Sequence, residues 1–232
     1  MNKPIVLAVD TTDVDKARDW VGATKEFISV IKLGLEFYLA HGAAGVAKVR
    51  SVAPELKLFL DLKLHDIPNT VAGATSAIAH LKPDFLTVHA SGGSAMIRAA
   101  VSALPDGAIT AVTLLTSLSA TEIKALGLGE SADGARETVQ RWAQGAVAAG
   151  ARAIVASPHE VALLRSALTP SITLITPGVR PLGSDSSDQA RVATPQEALS
   201  WGANYVVIGR PITSGKTLDE VSENAQRISS SL

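Results

Sequence analysis

A short segment near residue 60 places acidic and basic residues at alternating positions inside an apolar run. It reads FLDLKLHDIPNT from residue 59 to residue 70 and contains Asp61, Lys63 and Asp66. Because alternate side chains of an extended strand share one face, Asp61 and Lys63 are predicted to point the same way, with the neighbouring leucines on the other face. Either charge buried alone would be unfavourable, so the two are expected to pair. Taken by itself, such a pair is as compatible with a structural role as with catalysis.

A second lysine extends this pair into a network. Lys32 lies in an earlier apolar run, residues 28–33, whose end would lie beside Asp61 if the two runs form neighbouring strands. Alternating charges at strand ends are more typical of catalytic sites than of structural ion pairs. The sequence therefore predicts a catalytic charge network of Lys32, Asp61, Lys63 and Asp66.

Eight short apolar runs, rich in β-branched residues, would position these charges. They cover residues 5–9, 28–33, 56–62, 85–88, 109–114, 153–155, 172–175 and 205–208. The runs are continuous rather than alternating, which is typical of parallel strands covered on both faces. Alanine-rich amphipathic stretches between them, such as 71–80 and 137–149, predict helices. The longest gap, between the fifth and sixth runs, predicts an extra helix and a polar loop at 127–133.

Eight strand–helix units in 232 residues predict an α/β fold, a (β/α)8 TIM barrel that forms a single domain over residues 1–232. A doubly wound open sheet is the alternative, but no G-x-G-x-x-G follows the first strand. Catalytic groups of TIM barrels lie at the carboxyl ends of the strands. We therefore expect one site that collects the polar residues of the strand exits, which are Asp10, Lys32, Asp61, Lys63, His89, Thr116, Arg180, Gly209 and Arg210.

The composition excludes several classes of protein. Lysine and arginine number 21 against 22 acidic residues, a formal charge of −1, which argues against nucleic-acid binding and polybasic membrane attachment. The chain has no cysteine, which excludes disulfides, thiolate nucleophiles and cysteine-based metal centres. The sequence shows neither a signal peptide nor an apolar stretch of about 18 residues, so we expect a cytoplasmic protein.

The last two strand exits point to a bound phosphate. Gly178 and Gly209 allow close approach of the backbone, and a helix predicted to begin after Arg210 would direct N–H groups toward an anion. TIM barrels often bind phosphate at the loops that follow strands seven and eight. The alternative is that both glycines only form turns and that Arg210 is a surface residue. The long polar segment 182–189 suits a mobile lid.

The motif D-x-K-x-x-D-I-P-N-T at residues 61–70 resembles the signature of the orotidine 5′-monophosphate decarboxylase family. Further segments that resemble its bacterial branch are 7–10, 31–34, 87–90, 116–117, 176–181, 188–191 and 208–212. The resemblance implies conversion of orotidine 5′-monophosphate to uridine 5′-monophosphate, the last step of de novo pyrimidine nucleotide synthesis, without metal or cofactor. Fixed charges suit this reaction, because its carbanion has no Schiff base or thiamine as electron sink.

The resemblance also implies a role for each matching residue at the reacting end of the substrate. Lys63 would donate a proton to C6 of the pyrimidine, and Asp61 would lie beside the substrate carboxylate. Lys32 would contact the ribose and order the network, and Asp10 would bind a ribose hydroxyl. Thr116 or its neighbour Ser117 would bind the pyrimidine.

The remaining roles concern the phosphate and a second subunit. The residues implied to hold the phosphate are Arg180, Gln189, Gly209 and Arg210. Ile67 is also implied to contact the substrate. Asp66 and Thr70 would come from the partner subunit, so the resemblance implies a homodimer.

Two other functions stay open. Magnesium-dependent 3-keto-L-gulonate-6-phosphate decarboxylases and hexulose-phosphate synthases are similar to this chain, but they hold the metal with a glutamate at the position of Lys32. An ammonium group there repels a divalent cation, which favours a metal-free site. A non-catalytic barrel that binds a phosphate ligand is the second alternative. A barrel that had lost its catalytic activity would, however, be expected to lose its buried charges first.

Overall fold

Strands and helices alternate along residues 3–181 and 193–232, the part of the chain that this computed structural model describes. The strands are β1 (Ile5–Val9), β2 (Val30–Gly34), β3 (Lys57–Leu64), β4 (Phe85–His89), β5 (Ala108–Val112), β6 (Ala153–Val155), β7 (Thr173–Thr176) and β8 (Tyr205–Ile208). The helices are α1 (Val14–Thr24), α2 (Leu35–Arg50), α3 (Pro68–Ala79), α4 (Gly93–Ala103), α5 (Ala120–Ala125), α6 (Ala132–Ala148), α7 (Val161–Ala167), α8 (Pro195–Ser200), α9 (Arg210–Thr213) and α10 (Leu218–Ser230).

The eight strands close into one parallel barrel. Each strand pairs with the next along the chain, and β8 returns to pair with β1, with Leu7 opposite Ile208. This closure confirms the predicted TIM barrel and excludes the open sheet. Each predicted run overlaps one strand, with bounds that differ by up to two residues, and α5 is the extra helix expected between β5 and β6.

Two apolar layers hold the barrel together. A small cluster fills its interior and consists of Val6, Val30, Phe59, Phe85, Ala153, Ile175 and Tyr205. A larger layer lies between the strands and the helices, and its burial supplies most of the hydrophobic stabilisation. Phe85 makes edge contacts with Phe59 and Tyr205, at ring-centroid distances of 5.8 and 6.0 Å. These rings therefore fill part of the barrel interior.

Strand β3 departs from regular pairing where it carries the charged motif. Leu60 pairs with Leu86 and Leu64 with Val88, so residues 61–63 of β3 lie opposite Thr87 alone on β4. Lys63 has a φ of 47°, in the left-handed region that residues other than glycine seldom adopt. The predicted division of faces is confirmed, since the leucines of β3 pack in the outer layer. The bulge that accompanies it was not predicted.

Local signals fix the first turns of two helices that leave the barrel mouth, a side-chain cap at α1 and a proline at α3. The carboxylate of Asp13 accepts hydrogen bonds from the N–H groups of Asp15 and Lys16 and so begins α1. Pro68 occupies the first turn of α3, where the missing N–H has no partner to lose.

Within the described residues, no helix is both long and apolar enough to span a membrane.

Candidate active site

The carboxyl ends of the strands surround a cavity of about 310 Å³, a size suited to a small-molecule ligand. Phe59 forms part of its wall, as do the apolar residues Leu114 and Val155. Eight of the nine residues expected at the strand exits line it: Asp10, Lys32, Asp61, Lys63, Thr116, Arg180, Gly209 and Arg210. The expected convergence of the strand exits is therefore present, with charged groups on an otherwise apolar wall.

Asp61 is the centre of the charged cluster. Its Oδ1 lies 2.7 Å from Nζ of Lys63, and its Oδ2 lies 3.3 Å from Nζ of Lys32. Lys32 also reaches Oδ1 of Asp10, at 3.5 Å. The side chains of Lys32 and Asp61 are only 11% and 14% exposed, whereas that of Lys63 is 32% exposed. Lys63 is thus the more accessible of the two cations that share one carboxylate.

The surroundings of Asp61 keep its carboxylate ionised. Burial by itself would raise the pKa of Asp61, but the ammonium groups of Lys32 and Lys63 and hydrogen bonds from Lys63 and Thr87 outweigh it. The pKa therefore lies below the usual value for aspartate. A fixed negative charge beside two positive charges is a preorganised electrostatic site.

Thr87 is a member of this cluster that sequence reasoning missed. Its Oγ1 donates to Oδ1 of Asp61 at 3.1 Å and accepts the backbone N–H of Lys63 at 2.9 Å. In the sequence Thr87 is one residue of an apolar strand, and no periodicity separates it from a packing residue. The only sequence signal for it is that residues 87–90 belong to a segment shared with the family.

Two glycines form part of the cavity wall. Gly178 follows β7 with a φ of 79°, a conformation that is unfavourable for residues other than glycine. A Cβ added to Gly209 would lie 3.3 Å from Cβ of Ala8, so the backbone after β8 passes close to β1. Arg180 and Arg210 flank these glycines on the cavity wall, and the helix predicted after Arg210 is the single turn α9.

Three described residues that the resemblance assigns to the site do not line this cavity. Asp66, Ile67 and Thr70 are exposed at the β3–α3 loop and the first turn of α3, and the carboxylate of Asp66 accepts the N–H of Ile67 at 2.7 Å. Asp66 forms no ion pair with Lys32 or Lys63 of its own chain, whose described partners are Asp10 and Asp61. Gln189 and the predicted lid 182–189 lie outside the described residues. Between the two candidates for the pyrimidine, Thr116 lines the cavity and Ser117 does not.

His89, expected at the mouth, lies beside the site rather than in it. It is half-buried, its imidazole makes no hydrogen bond with residues 3–181 or 193–232, and its ring centroid lies 5.4 Å from that of His65. Burial lowers the pKa of His89, and the charges of His65 and Lys63 lower it further, against an opposite effect of Asp61. The imidazole is therefore held in its neutral form beside the cationic cluster.

A smaller cavity of about 170 Å³ adjoins the same charges from the side of α2. It shares Asp10, Lys32, Asp61 and Lys63 with the main cavity, and Leu35 and Glu36 at the start of α2 complete its wall. The charge network is therefore reached from two directions.

Comparison with known proteins gives a match over most of the chain. Residues 3–225 match the model of the Orotidine 5'-phosphate decarboxylase / HUMPS family. The chain belongs to this family. The matched range includes every residue of the charge network and both arginines of the cavity.

Named members of the Orotidine 5'-phosphate decarboxylase / HUMPS family are similar over nearly their full length. The orotidine 5'-phosphate decarboxylase of Thermobifida fusca is 54% identical over 213 residues, which cover 92% of this chain and 90% of that relative. The one from Frankia casuarinae is 47% identical and covers 90% of this chain and 81% of the relative. A crystal structure of the Lactobacillus acidophilus enzyme superimposes with a TM-score of 0.80 at 31% identity, covering 98% of this chain and 99% of that one.

Proposed function

We propose that this chain catalyses the decarboxylation of orotidine 5′-monophosphate to uridine 5′-monophosphate, the last step of de novo pyrimidine nucleotide synthesis. The observation that carries the proposal is the ionised, largely buried carboxylate of Asp61 held between the ammonium groups of Lys32 and Lys63 at the mouth of the barrel. The membership of the family and the named relatives at up to 54% identity favour this reaction over the alternatives.

The chemical step uses the Asp61–Lys63 pair. The substrate carboxylate lies beside Asp61, and the bond from C6 to that carboxylate breaks, so that CO₂ leaves and its electron pair stays on C6. The Lys63 ammonium stabilises this carbanion and then transfers a proton from Nζ to C6. A cation about 4 Å away contributes about 4 kcal/mol at an effective dielectric of about 20. Because enzymes lower barriers by about 8–23 kcal/mol, several such interactions and good positioning are required.

The rest of the cavity binds the remainder of the nucleotide. Asp10 and Lys32 contact the ribose, and Thr116 contacts the pyrimidine. The phosphate is held by Arg180, Gln189, Gly209 and Arg210. This assignment is supported by the distribution of the described side chains, since the cationic groups of Arg180 and Arg210 belong to strand exits seven and eight, where barrels of this kind often bind phosphate.

The reaction needs no metal ion, because the charge network leaves no suitable position for one. A divalent cation bound to Asp61 would have to displace two ammonium groups that lie 2.7 and 3.3 Å from its oxygens. Repulsion by Lys32 opposes this, and glutamate, the residue of the magnesium-dependent relatives at this position, would instead supply a ligand.

The active unit is a homodimer in which each site borrows residues from the other subunit. Asp66, Ile67 and Thr70 are exposed on their own chain, and Ile67 is 66% exposed although it is apolar. The exposed Leu35 lines the smaller cavity beside the charge network, which gives an incoming loop an apolar contact near Lys63. The partner's Asp66 and the partner's Thr70 complete the site through this opening.

Incubation with orotidine 5′-monophosphate after treatment with EDTA tests the proposed function. We expect the ultraviolet absorbance of the substrate to change to that of uridine 5′-monophosphate at the same rate with and without the chelator. Activity that EDTA abolishes and magnesium restores would contradict a metal-free reaction. A protein that binds the nucleotide without converting it would be the non-catalytic barrel.

Replacement of Arg210 by alanine tests the phosphate site. A charged hydrogen bond contributes about 1.5–3 kcal/mol, so kcat/KM for the nucleotide should fall about 10- to 100-fold. The slow reaction of phosphate-free orotidine should hardly change, because binding energy from the phosphate is absent there. Both rates are measured by absorbance. Arg98→Ala, at an exposed position on α4, is the matched control and should change neither rate. Equal losses on the two substrates would place Arg210 at the reacting centre or in folding.

A further inference from the structure

The irregular part of β3 is opposed by a single residue. Between the pairs Leu60–Leu86 and Leu64–Val88, β3 contains three residues where β4 contains only Thr87. A regular parallel ladder cannot form over such a stretch, so the backbone groups of the longer strand need other partners. The conformation of Asp61 and Lys63 is consequently not set by strand pairing alone.

The backbone of Lys63 is strained in this bulge. Its φ of 47° is one of two positive values at residues other than glycine in the described chain, the other being at Lys82. This conformation is unfavourable for an L-residue with a Cβ, and it persists only where surrounding contacts enforce it. The N–H of Lys63 must therefore be held by an acceptor in a fixed place.

Thr87 provides that acceptor and a second contact. Its side chain is fully buried, and its hydroxyl accepts the Lys63 N–H at 2.9 Å while donating to Oδ1 of Asp61 at 3.1 Å. A hydroxyl has one proton and two lone pairs, so it can make both bonds at once. The same Oδ1 receives Nζ of Lys63 at 2.7 Å. One hydroxyl thus links the main chain of Lys63 to the carboxylate that its own side chain contacts.

We infer that Thr87 is a positioning residue for the reaction: its hydroxyl holds the bulge of β3 so that Lys63 and Asp61 keep their relative placement. The inference rests on the proposed decarboxylation only for its effect on rate, since the placement itself is a property of the unliganded protein. Without the hydroxyl, the Lys63 N–H loses its acceptor, Asp61 loses a donor, and the strained backbone is free to relax. The distance between Nζ of Lys63 and C6 of the substrate is then no longer fixed.

Thr87→Val is the decisive variant, because valine keeps the shape and removes the hydroxyl. Small misplacements at a reacting centre lower rates strongly, and we expect kcat to fall about 10- to 100-fold. KM should stay within a factor of about two, because no group that binds ground-state substrate has been removed. The matched control is Thr110→Val. Thr110 is also fully buried and lies directly opposite Thr87 on β5, but within the described residues its hydroxyl donates only to the carbonyl of Ala108.

A second pair of variants covers the case in which Thr87→Val does not fold. Thr87→Ser keeps the hydroxyl and Thr87→Ala removes it, and both lack the methyl group. We expect the serine variant to be at least about tenfold faster than the alanine variant, since a hydrogen bond to a charged group separates them.

Amide hydrogen exchange measures the placement independently of activity. The Lys63 N–H should exchange about tenfold faster or more in Thr87→Val than in the wild type, because its acceptor is gone. The exchange rate of this N–H should be unchanged in Thr110→Val and close to the wild-type rate in Thr87→Ser. A wild-type protein that does not convert the nucleotide would contradict the proposed function and leave this exchange result as the test of the placement.

Three results would overturn the inference in an active enzyme. One is a Thr87→Val variant whose kcat lies within threefold of the wild type. Another is an equal loss in Thr87→Val and Thr110→Val, which would show a general packing effect. The third is unchanged exchange of the Lys63 N–H in Thr87→Val.

Discussion

Replacement of Lys63 by alanine is expected to lower kcat/KM for orotidine 5′-monophosphate at least about 10⁴-fold. A positioned general acid contributes about 10²–10⁴-fold, and a group that stabilises the developing charge contributes about 10²–10³-fold. Lys63 is proposed to do both through one ammonium group, which lies 2.7 Å from Asp61 and remains accessible from the cavity. Turnover is measured by absorbance on the purified variant. Retention of a tenth of the wild-type turnover would exclude Lys63 as the proton donor.

The backbone at this position supplies a control for folding. Because φ of Lys63 is 47°, alanine keeps the strain of the left-handed region and glycine does not. Glycine gains about 1–2 kcal/mol from relieved strain and loses about 0.5–1 kcal/mol to its larger unfolded-state entropy. Lys63→Gly should therefore be more stable than Lys63→Ala in urea denaturation and yet equally inactive. If Lys63→Gly is both more stable and more active than Lys63→Ala, the alanine variant loses its activity because it unfolds.

Mixing two inactive variants is expected to restore about a quarter of the wild-type activity. One carries Lys63→Ala and the other Asp66→Asn, which keeps an oxygen for the N–H of Ile67 and removes the charge. Each site of the proposed dimer takes Lys63 from one subunit and Asp66 from the other. In a mixed dimer, one site therefore contains both substitutions and the other contains neither. Random exchange makes about half of the dimers mixed, each with one intact site of two, if pairing is isologous and the sites act independently.

Mass spectrometry of the mixture shows whether the subunits have exchanged, and absorbance gives the activity. A mixture of Lys63→Ala with Lys63→Gly is the control and should stay inactive, because no combination of its subunits contains Lys63. Exchange without recovered activity would show that Asp66 and Lys63 serve the same subunit's site.

Much of the architecture follows from local patterns in the sequence. Continuous β-branched runs predict buried parallel strands, and eight of them with helical stretches between predict the closed barrel that the structure has. The carboxyl ends of parallel strands must meet at one end of a barrel. The order of residues along the chain was therefore sufficient to predict that residues as distant as Asp10 and Arg210 line one cavity.

The fine geometry of the site depends on contacts that no local pattern encodes. Alternation within β3 correctly placed Asp61 and Lys63 on one face, but it assumed a regular strand, whereas three residues there oppose one. Whether a strand bulges depends on the partner strand and on the helices that cover it, which are distant in sequence. The role of Thr87 follows from the same cause, because a threonine in an apolar run is indistinguishable from a packing residue until its neighbours across the sheet are known.

The charged residues of the site were also predicted in part by the sequence and determined in part by tertiary packing. The prediction that Lys32, Asp61 and Lys63 form one network followed from residue types at strand ends. The separations of 2.7 and 3.3 Å in the structure agree with it. That Asp66 stands apart from this network within its own chain could not be read from the D-x-K-x-x-D spacing. The chain turns at Ile67 and Pro68 after the strand ends, and the direction of that turn is fixed by the packing of α3 on the barrel. Residue identity therefore determined which chemistry is available, and tertiary packing decided which atoms meet, because distances across strands depend on pairing that sequence neighbours do not control.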